Sequence, residues 1–172
     1  MQFVRCTRQQ HAAAILEILN EAIAHSTALY EYQPRTPGSM RTWFARKETG
    51  GFPVIGAEQA GVLVGFATYG TFRAWAAYKY TVEHSVYVHR DHRGRGIGKG
   101  LMQELIAAAR EQQYHVLVGG IDITNTTSVA LHQRLGFTHA GTIHQAAYKF
   151  GRWLDLGFYE LILETPATPM DG

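Results

Sequence analysis

Residues 86–101 read VYVHRDHRGRGIGKGL, where glycines at 94, 96, 98 and 100 alternate with Arg95, Ile97 and Lys99 directly after an apolar run. A glycine turn between a strand and a helix points backbone N–H groups into one concavity at the positive end of the helix, which is anion-binding chemistry. Arg93, Arg95 and Lys99 add charge suited to a pyrophosphate. Two well-known phosphate motifs fail here. The dinucleotide fingerprint G-x-G-x-x-G needs a third glycine at 99 or 101, where Lys99 and Leu101 stand, and the P-loop needs a glycine at 93 and a hydroxyl at 100, where the chain has Arg93 and Gly100. The remaining alternatives are a cradle for another phosphate ligand built on Gly94, Gly96 and Gly98, or a flexible turn with solvated charges.

The elements around this turn follow from periodicity. FVRCT reads as an opening strand, and Ile15, Leu16, Leu19, Ala22 and Ile23 recur at helical spacing, predicting a helix over about 11–24. Ser39 reads as the cap of a second short helix with Met40, Trp43 and Phe44 on its buried face, stopped by Gly50 and Gly51. FPVIGA and VLVGFATYG, joined by EQAG, read as a β-hairpin. In YTVEHSVYV, Val82, His84, Val86 and Val88 alternate with Glu83, Ser85 and Tyr87. After the turn, Ile97, Leu101, Leu105 and Ala109 define a helix ending near Gln113. YHVLVGGI is apolar enough for a central strand, and NTTSVALHQRLGF offers Asn125, Thr126 or Thr127 as N-cap of a short helix with Gly136 at its end. AAYKFGRWLDLGFYELIL reads as two strands about a turn near Gly151–Asp155. The order β-α-α-β-β-β-α-β-α-β-β predicts a mixed α/β fold.

The composition sets broad limits. A chain of 172 residues with 46% hydrophobic and 17% charged residues suits one globular domain, expected over about 1–163, with ETPATPMDG as a frayed tail over 164–172. A net charge of +2 and the lack of a basic, aromatic-interleaved arm give no sign of a nucleic-acid partner. Cys6 is the only cysteine, so no internal disulfide or cysteine-based metal cluster is expected. With no signal-like or membrane-spanning apolar run, a soluble cytoplasmic protein is expected.

HRGRGIG resembles the R/Q-x-x-G-x-G/A pyrophosphate loop of the GCN5-related N-acetyltransferase superfamily, and the element order matches that fold. TVEHSVYVHRDHRGRGIG, GIDITNTTSVALHQRLGF and KFGRWLDLGF closely resemble the phosphinothricin and methionine sulfoximine acetyltransferases within it, and ILEILNEAIAHSTA adds a weaker likeness. The resemblance implies a mostly antiparallel mixed sheet of about seven strands with about four helices. It also implies acetyl-CoA as co-substrate, no metal, a small amino-acid-like amine as acceptor, and a homodimer.

On that reading the coenzyme lies against Val86, Tyr87 and Val88, whose backbone is expected to meet the oxyanion, and against Arg93 through Lys99, with Asn125 as a further contact or simply a helix cap. Glu83, on the strand before the loop, is the candidate general base, since the acceptor amine must lose a proton to react. His132 corresponds to a histidine that the resemblance implicates in proton transfer, although a lone histidine on a short helix is more often packed than catalytic. For the acceptor, the resemblance points to Thr71, Phe72 and Arg73, then Glu83, His84 and Ser85. Arg73 suits a carboxylate or phosphinate, Tyr30 and Tyr78 are candidate cavity walls or core, and Lys149 is a candidate complement to an anionic substrate or a solvated charge. LYEY at 29–32 and FRAWAAYKY at 72–80 depart from the relatives' usual Trp-Asn-Glu and WRPFEGF-type segments, both facing the acceptor. A polyamine or protein N-terminus as acceptor, and a non-catalytic acyl-CoA sensor, are the competing functions. A polyamine site would collect carboxylates, and retention of Glu83 argues against a sensor.

Overall fold

The computed structural model describes residues 1–171. The elements are β1 (Gln2–Arg5), α1 (Arg8–His25), α2 (Pro37–Thr49), β2 (Val54–Gln59), β3 (Val62–Thr71), β4 (Thr81–Val88), α3 (Ile97–Glu111), β5 (Val116–Asp122), α4 (Thr126–Arg134), β6 (Thr138–Lys149) and β7 (Arg152–Ile162). Their hydrogen-bonded order, β1-β2-β3-β4-β5-β7-β6, is a mixed seven-stranded sheet with four helices, as the sequence pattern implies. The chain forms two compact units, Met1–Gly70 with Ser85–Leu105, and Thr71–His84 with the chain from Ile106 onward. Among the described residues no helix is long and apolar enough to cross a membrane.

In the first unit, β1 pairs antiparallel with β2 and β2 with β3. The β2–β3 connection is only Ala60 and Gly61, with φ of 51° and 77°, the left-handed pair of a primed two-residue hairpin turn. Ile15, Ile18 and Leu19 of α1 and Met40 and Phe44 of α2 pack with Val54, Leu63 and Phe66 in one apolar cluster. Burying each such side chain contributes roughly 1.5–3 kcal/mol. Two helix starts lie earlier than periodicity predicts, because the caps precede the apolar stripes. Thr7 accepts from Gln10 N and starts α1 at Arg8, and Thr36 accepts from Ser39 N with Pro37 in the first turn of α2, so Ser39 is inside that helix.

In the second unit, Thr81, Val82 and Glu83 pair in parallel with Val116, Leu117 and Val118, β5 pairs antiparallel with β7, and β7 with β6. Leu117, Leu154 and Tyr159 are buried there. β6 starts at Thr138, well before the AAYK stretch in which the sequence places it, and the turn to β7 is only Phe150 and Gly151, both with positive φ. The strand is irregular, with register shifts at His139/Gly141 and Ile143/Ala147. At the wider irregularity the Asp155 carboxylate accepts from Gln145 N (2.8 Å) and pairs with His144 Nδ1 (3.2 Å), replacing backbone partners. Those hydrogen bonds hold Asp155 below the usual carboxylate range. The tail is tied back as well: Thr165 Oγ1 donates to the Tyr114 carbonyl, and Met170 N donates to the Tyr80 hydroxyl (3.2 Å).

Candidate active site

In the first unit, β4 ends at Val88, a 3-10 turn covers Arg90–His92, and α3 starts at Ile97. Gly94 and Gly96 have φ of 75° and 78°, and a Cβ on either would meet nothing within 4 Å. Backbone conformation, not crowding, therefore demands glycine at both, since another residue in this region costs roughly 1–2 kcal/mol. The absence of side chains leaves an open backbone concavity at the start of a helix, suited to a pyrophosphate. Gly100 has a different cause, because a Cβ there would run into the Phe3 ring.

Arg93 is occupied within this unit. Its Nε donates to the Val88 carbonyl (3.1 Å) and its Nη2 to the Glu21 carboxylate, so it braces the turn while Arg95 and Lys99 remain exposed cations. Ile97 is buried, leaving only its backbone and that of Gly98 to face an anion. Tyr87 packs its ring on Phe66 at 5.3 Å between centroids, and Ser85, Val86 and Val88 are half-buried along β4. Tyr30 lies exposed between α1 and α2.

The second unit builds a cavity of about 390 Å³ on one face of its sheet. Phe72, Arg73 and Tyr78 line it together with Thr81 of β4, Val116 and Val118 of β5, Ala140 and Gly141 of β6, and Phe158 and Glu160 of β7. Phe72 and Tyr78 meet edge to face at 5.7 Å, and the Arg73 guanidinium lies 5.2 Å over the Phe72 ring. Strand register places Glu83, Val118, Glu160 and Thr138 in one row, so their side chains share the cavity's face. Glu83 is exposed, and its Oε1 sits 3.4 Å from where a Cβ of Gly120 would be, an ordinary contact distance. Partial burial raises the Glu83 pKa, and Arg73 pulls it the other way. A carboxylate held above its usual range beside a cation has the environment of a general base.

His84, one step along the strand, turns to the opposite face. It is buried, with Nε2 2.8 Å from His132 Nε2 and the two rings stacked. His132 Nδ1 is 2.7 Å from the Ser128 carbonyl, which can only accept, so that nitrogen carries the proton and Nε2 accepts from His84 Nε2–H. Burial first, then the neighbouring His132, lowers the His84 pKa to about 3, with the Val118 backbone acting in the opposite sense. Burial also lowers the His132 pKa, against the Ser128 hydrogen bond. His84 therefore does not face the acceptor cavity, contrary to the sequence expectation, and His132 has both ring nitrogens engaged.

Lys149 is also displaced from its expected role: it is buried, with its ammonium 4.9 Å over the Phe150 ring, and does not line the cavity. Thr71 is exposed at the end of β3, outside the cavity lining. Asn125 caps α4, accepting from Ser128 N at 3.1 Å. The turn before it is held by buried Asp122, which accepts from Thr124 N and Oγ1 and from Arg152. The sequence reading missed Thr81, Val116, Val118, Ala140, Gly141, Phe158 and Glu160. The available signal was the alternation in VLVGG, which puts residues 116, 118 and 120 on one face, but their pairing with Glu83 and Glu160 is a long-range register.

The open glycine turn at a helix start in the first unit suits a phosphate-bearing ligand, and the cavity of the second unit suits a small polar one. Residues 13–137 match the acetyltransferase (GNAT) family, and the chain belongs to it. It is 41% identical over 166 residues to the L-amino acid N-acyltransferase MnaT of Escherichia coli, covering 96% of each chain. It is 40% identical to the L-methionine sulfoximine/L-methionine sulfone acetyltransferase of Salmonella typhimurium, covering 96% of this chain and 97% of that one. A Salmonella typhimurium acetyltransferase structure with its cofactor acetyl-CoA superposes with a TM-score of 0.94 at 39% identity, covering 99% and 98%.

Proposed function

We propose that the chain transfers the acetyl group of acetyl-CoA to the α-amine of a small amino acid or analogue of the methionine sulfoximine or phosphinothricin type. The observation that carries this reading is Glu83, exposed on the same face of the sheet as the cavity, paired with the lining residue Val118, and raised in pKa against the pull of Arg73. The amine is protonated near neutral pH, and each pKa unit above ambient withholds about 1.4 kcal/mol of reactivity. Glu83 accepts that proton, directly or through water, while Arg73 holds the substrate carboxylate. Gly94, Gly96 and Gly98 with Arg95 and Lys99 would hold the coenzyme's pyrophosphate, and Val86 to Val88 would run along its arm. When bound, acetyl-CoA supplies an activated thioester carbonyl. The backbone near Tyr87 and Val88 stabilises the charge that develops on its oxygen. Attack would be direct, the new C–N bond replacing the C–S bond and coenzyme A leaving as a thiolate that takes its proton from solvent, since the thiol of Cys6, the sole cysteine, is pushed up to a pKa of about 12 by burial. His84 and His132 support β4 as a neutral pair.

Relatives named for L-amino acids and for methionine sulfoximine and sulfone support the acceptor class. Use of acetyl-CoA supports a cytoplasmic setting. Exposed Ile143, Tyr148, Phe150 and Trp153 on the β6–β7 hairpin support a homodimer through that hairpin. The direct test is thiol release from acetyl-CoA over a panel containing methionine sulfoximine, methionine sulfone, phosphinothricin, free amino acids and a polyamine. Turnover confined to the amino-acid compounds is expected, and turnover of the polyamine alone would overturn the reading.

A further inference from the structure

We infer that Glu160 sets the charge class of the acceptor: the cavity favours amino acids whose side chain ends in a neutral polar group and disfavours those ending in an anion. The inference rests on the amino-acid reading of the cavity and deepens it. Glu160 and Glu83 flank Val118 in one row of the sheet, two strand spacings or about 10 Å apart at Cα, and project to the same face. Glu160 is half-buried in the cavity lining, and among the described residues its carboxylate has no hydrogen bond or ion pair. A carboxylate placed in a cavity without a protein partner is available to a ligand.

The charged groups at the cavity are then Arg73 and Glu160, which line it, and Glu83, which shares its face of the sheet. A zwitterionic amino acid matches two of them, its amine at Glu83 and its carboxylate at Arg73. Glu160 is the charge that remains. The apolar lining residues Val116, Val118 and Phe158 suit a methylene stem, whose end would meet Glu160. A sulfoximine N–H donates to this carboxylate and a sulfone leaves it hydrated. A phosphinate meets it as a like charge after Arg73 has been engaged.

The test compares kcat/KM for phosphinothricin, anionic at its side chain, with that for methionine sulfone, which is neutral and lacks an N–H. Glu160→Gln preserves shape and removes the charge, and Glu160→Lys inverts it. The phosphinothricin-to-sulfone ratio is expected to rise about tenfold in Glu160→Gln and further in Glu160→Lys, whatever the change in the sulfone value alone. An unchanged ratio in both variants overturns the inference. Thermal melts confirm folding. Calorimetric titration of the same two amino acids onto the CoA-bound protein reads the discrimination without turnover. Loss of all acetylation with the binding ratio still shifting in the variants would therefore sink the proposed reaction and leave Glu160's role standing. Failure of either amino acid to bind any form of the protein would overturn the role of Glu160.

Discussion

Glu83 and His84 are neighbours in the chain and opposites in environment, because one step along a strand exchanges the two faces of a sheet. Glu83 on the cavity face keeps water and Arg73 near it, so its pKa rises with burial but is restrained by the guanidinium. Activity should therefore fall as pH drops through a Glu83 pKa above the ordinary carboxylate range. Glu83→Gln should lose on the order of 100-fold or more in kcat and abolish that acid limb, with KM for acetyl-CoA little changed. Arg73→Ala removes the restraining charge and should move the limb to higher pH while raising KM for the amino acid. A limb unmoved in Arg73→Ala would contradict the coupling. His84 behaves differently: its folded pKa of about 3 lies below the 6.5 of the unfolded chain, so the unfolded state binds the proton in that window and the native state does not. This contribution to stability is complete above about pH 6.5 and is lost as pH falls toward 3, about 2 kcal/mol by pH 5. His132, shifted in the same direction, adds to the loss. Nitrogen NMR of the imidazoles should find the His84 ring neutral at pH 5, and titration of His84 near pH 6.5 would refute its burial as a neutral ring.

At the scale of elements, the glycine turn and the helices around it were legible in the sequence because their causes are local: positive φ, caps and an apolar stripe lie within a few residues of one another. Glycines that look equivalent in RGRGIGKG nonetheless have separate causes. Gly96→Ala should weaken acetyl-CoA binding by calorimetry, because the strained turn shifts its N–H groups, and cost roughly 1–2 kcal/mol. Gly100→Ala should instead lower stability by roughly 1–3 kcal/mol through its contact with Phe3. Its effect on coenzyme affinity should be smaller than that of Gly96→Ala, and the reverse order would refute the distinction. The acceptor cavity was only half legible. Phe72, Arg73 and Tyr78 fall in one short segment, whereas Glu160 joins them only through the pairing of β5 with β7. β6 was misplaced for a related reason. A carboxylate eleven residues from His144 supplies hydrogen bonds within its irregular ladder, and no period-two pattern survives there.

At the scale of the whole molecule, the β6–β7 hairpin carries large apolar side chains that the chain does not bury. Ile143, Tyr148, Phe150 and Trp153 are each about half exposed, although Tyr148 and Trp153 contact edge to face at 5.2 Å. Aromatic groups held in a fixed arrangement lose little conformational entropy when covered, which is why they dominate interfaces between protein copies. A homodimer joined by this hairpin would be self-complementary about a two-fold axis. Sedimentation at micromolar concentration should then give twice the chain mass of 19.2 kDa. Trp153→Glu places a charge in the contact and should give a monomer, with a thermal midpoint of the separated chain little changed because Trp153 contributes little to the core. A dimer that persists in Trp153→Glu would exclude this hairpin as the interface. A wild-type protein of 19.2 kDa at every concentration would exclude the dimer itself.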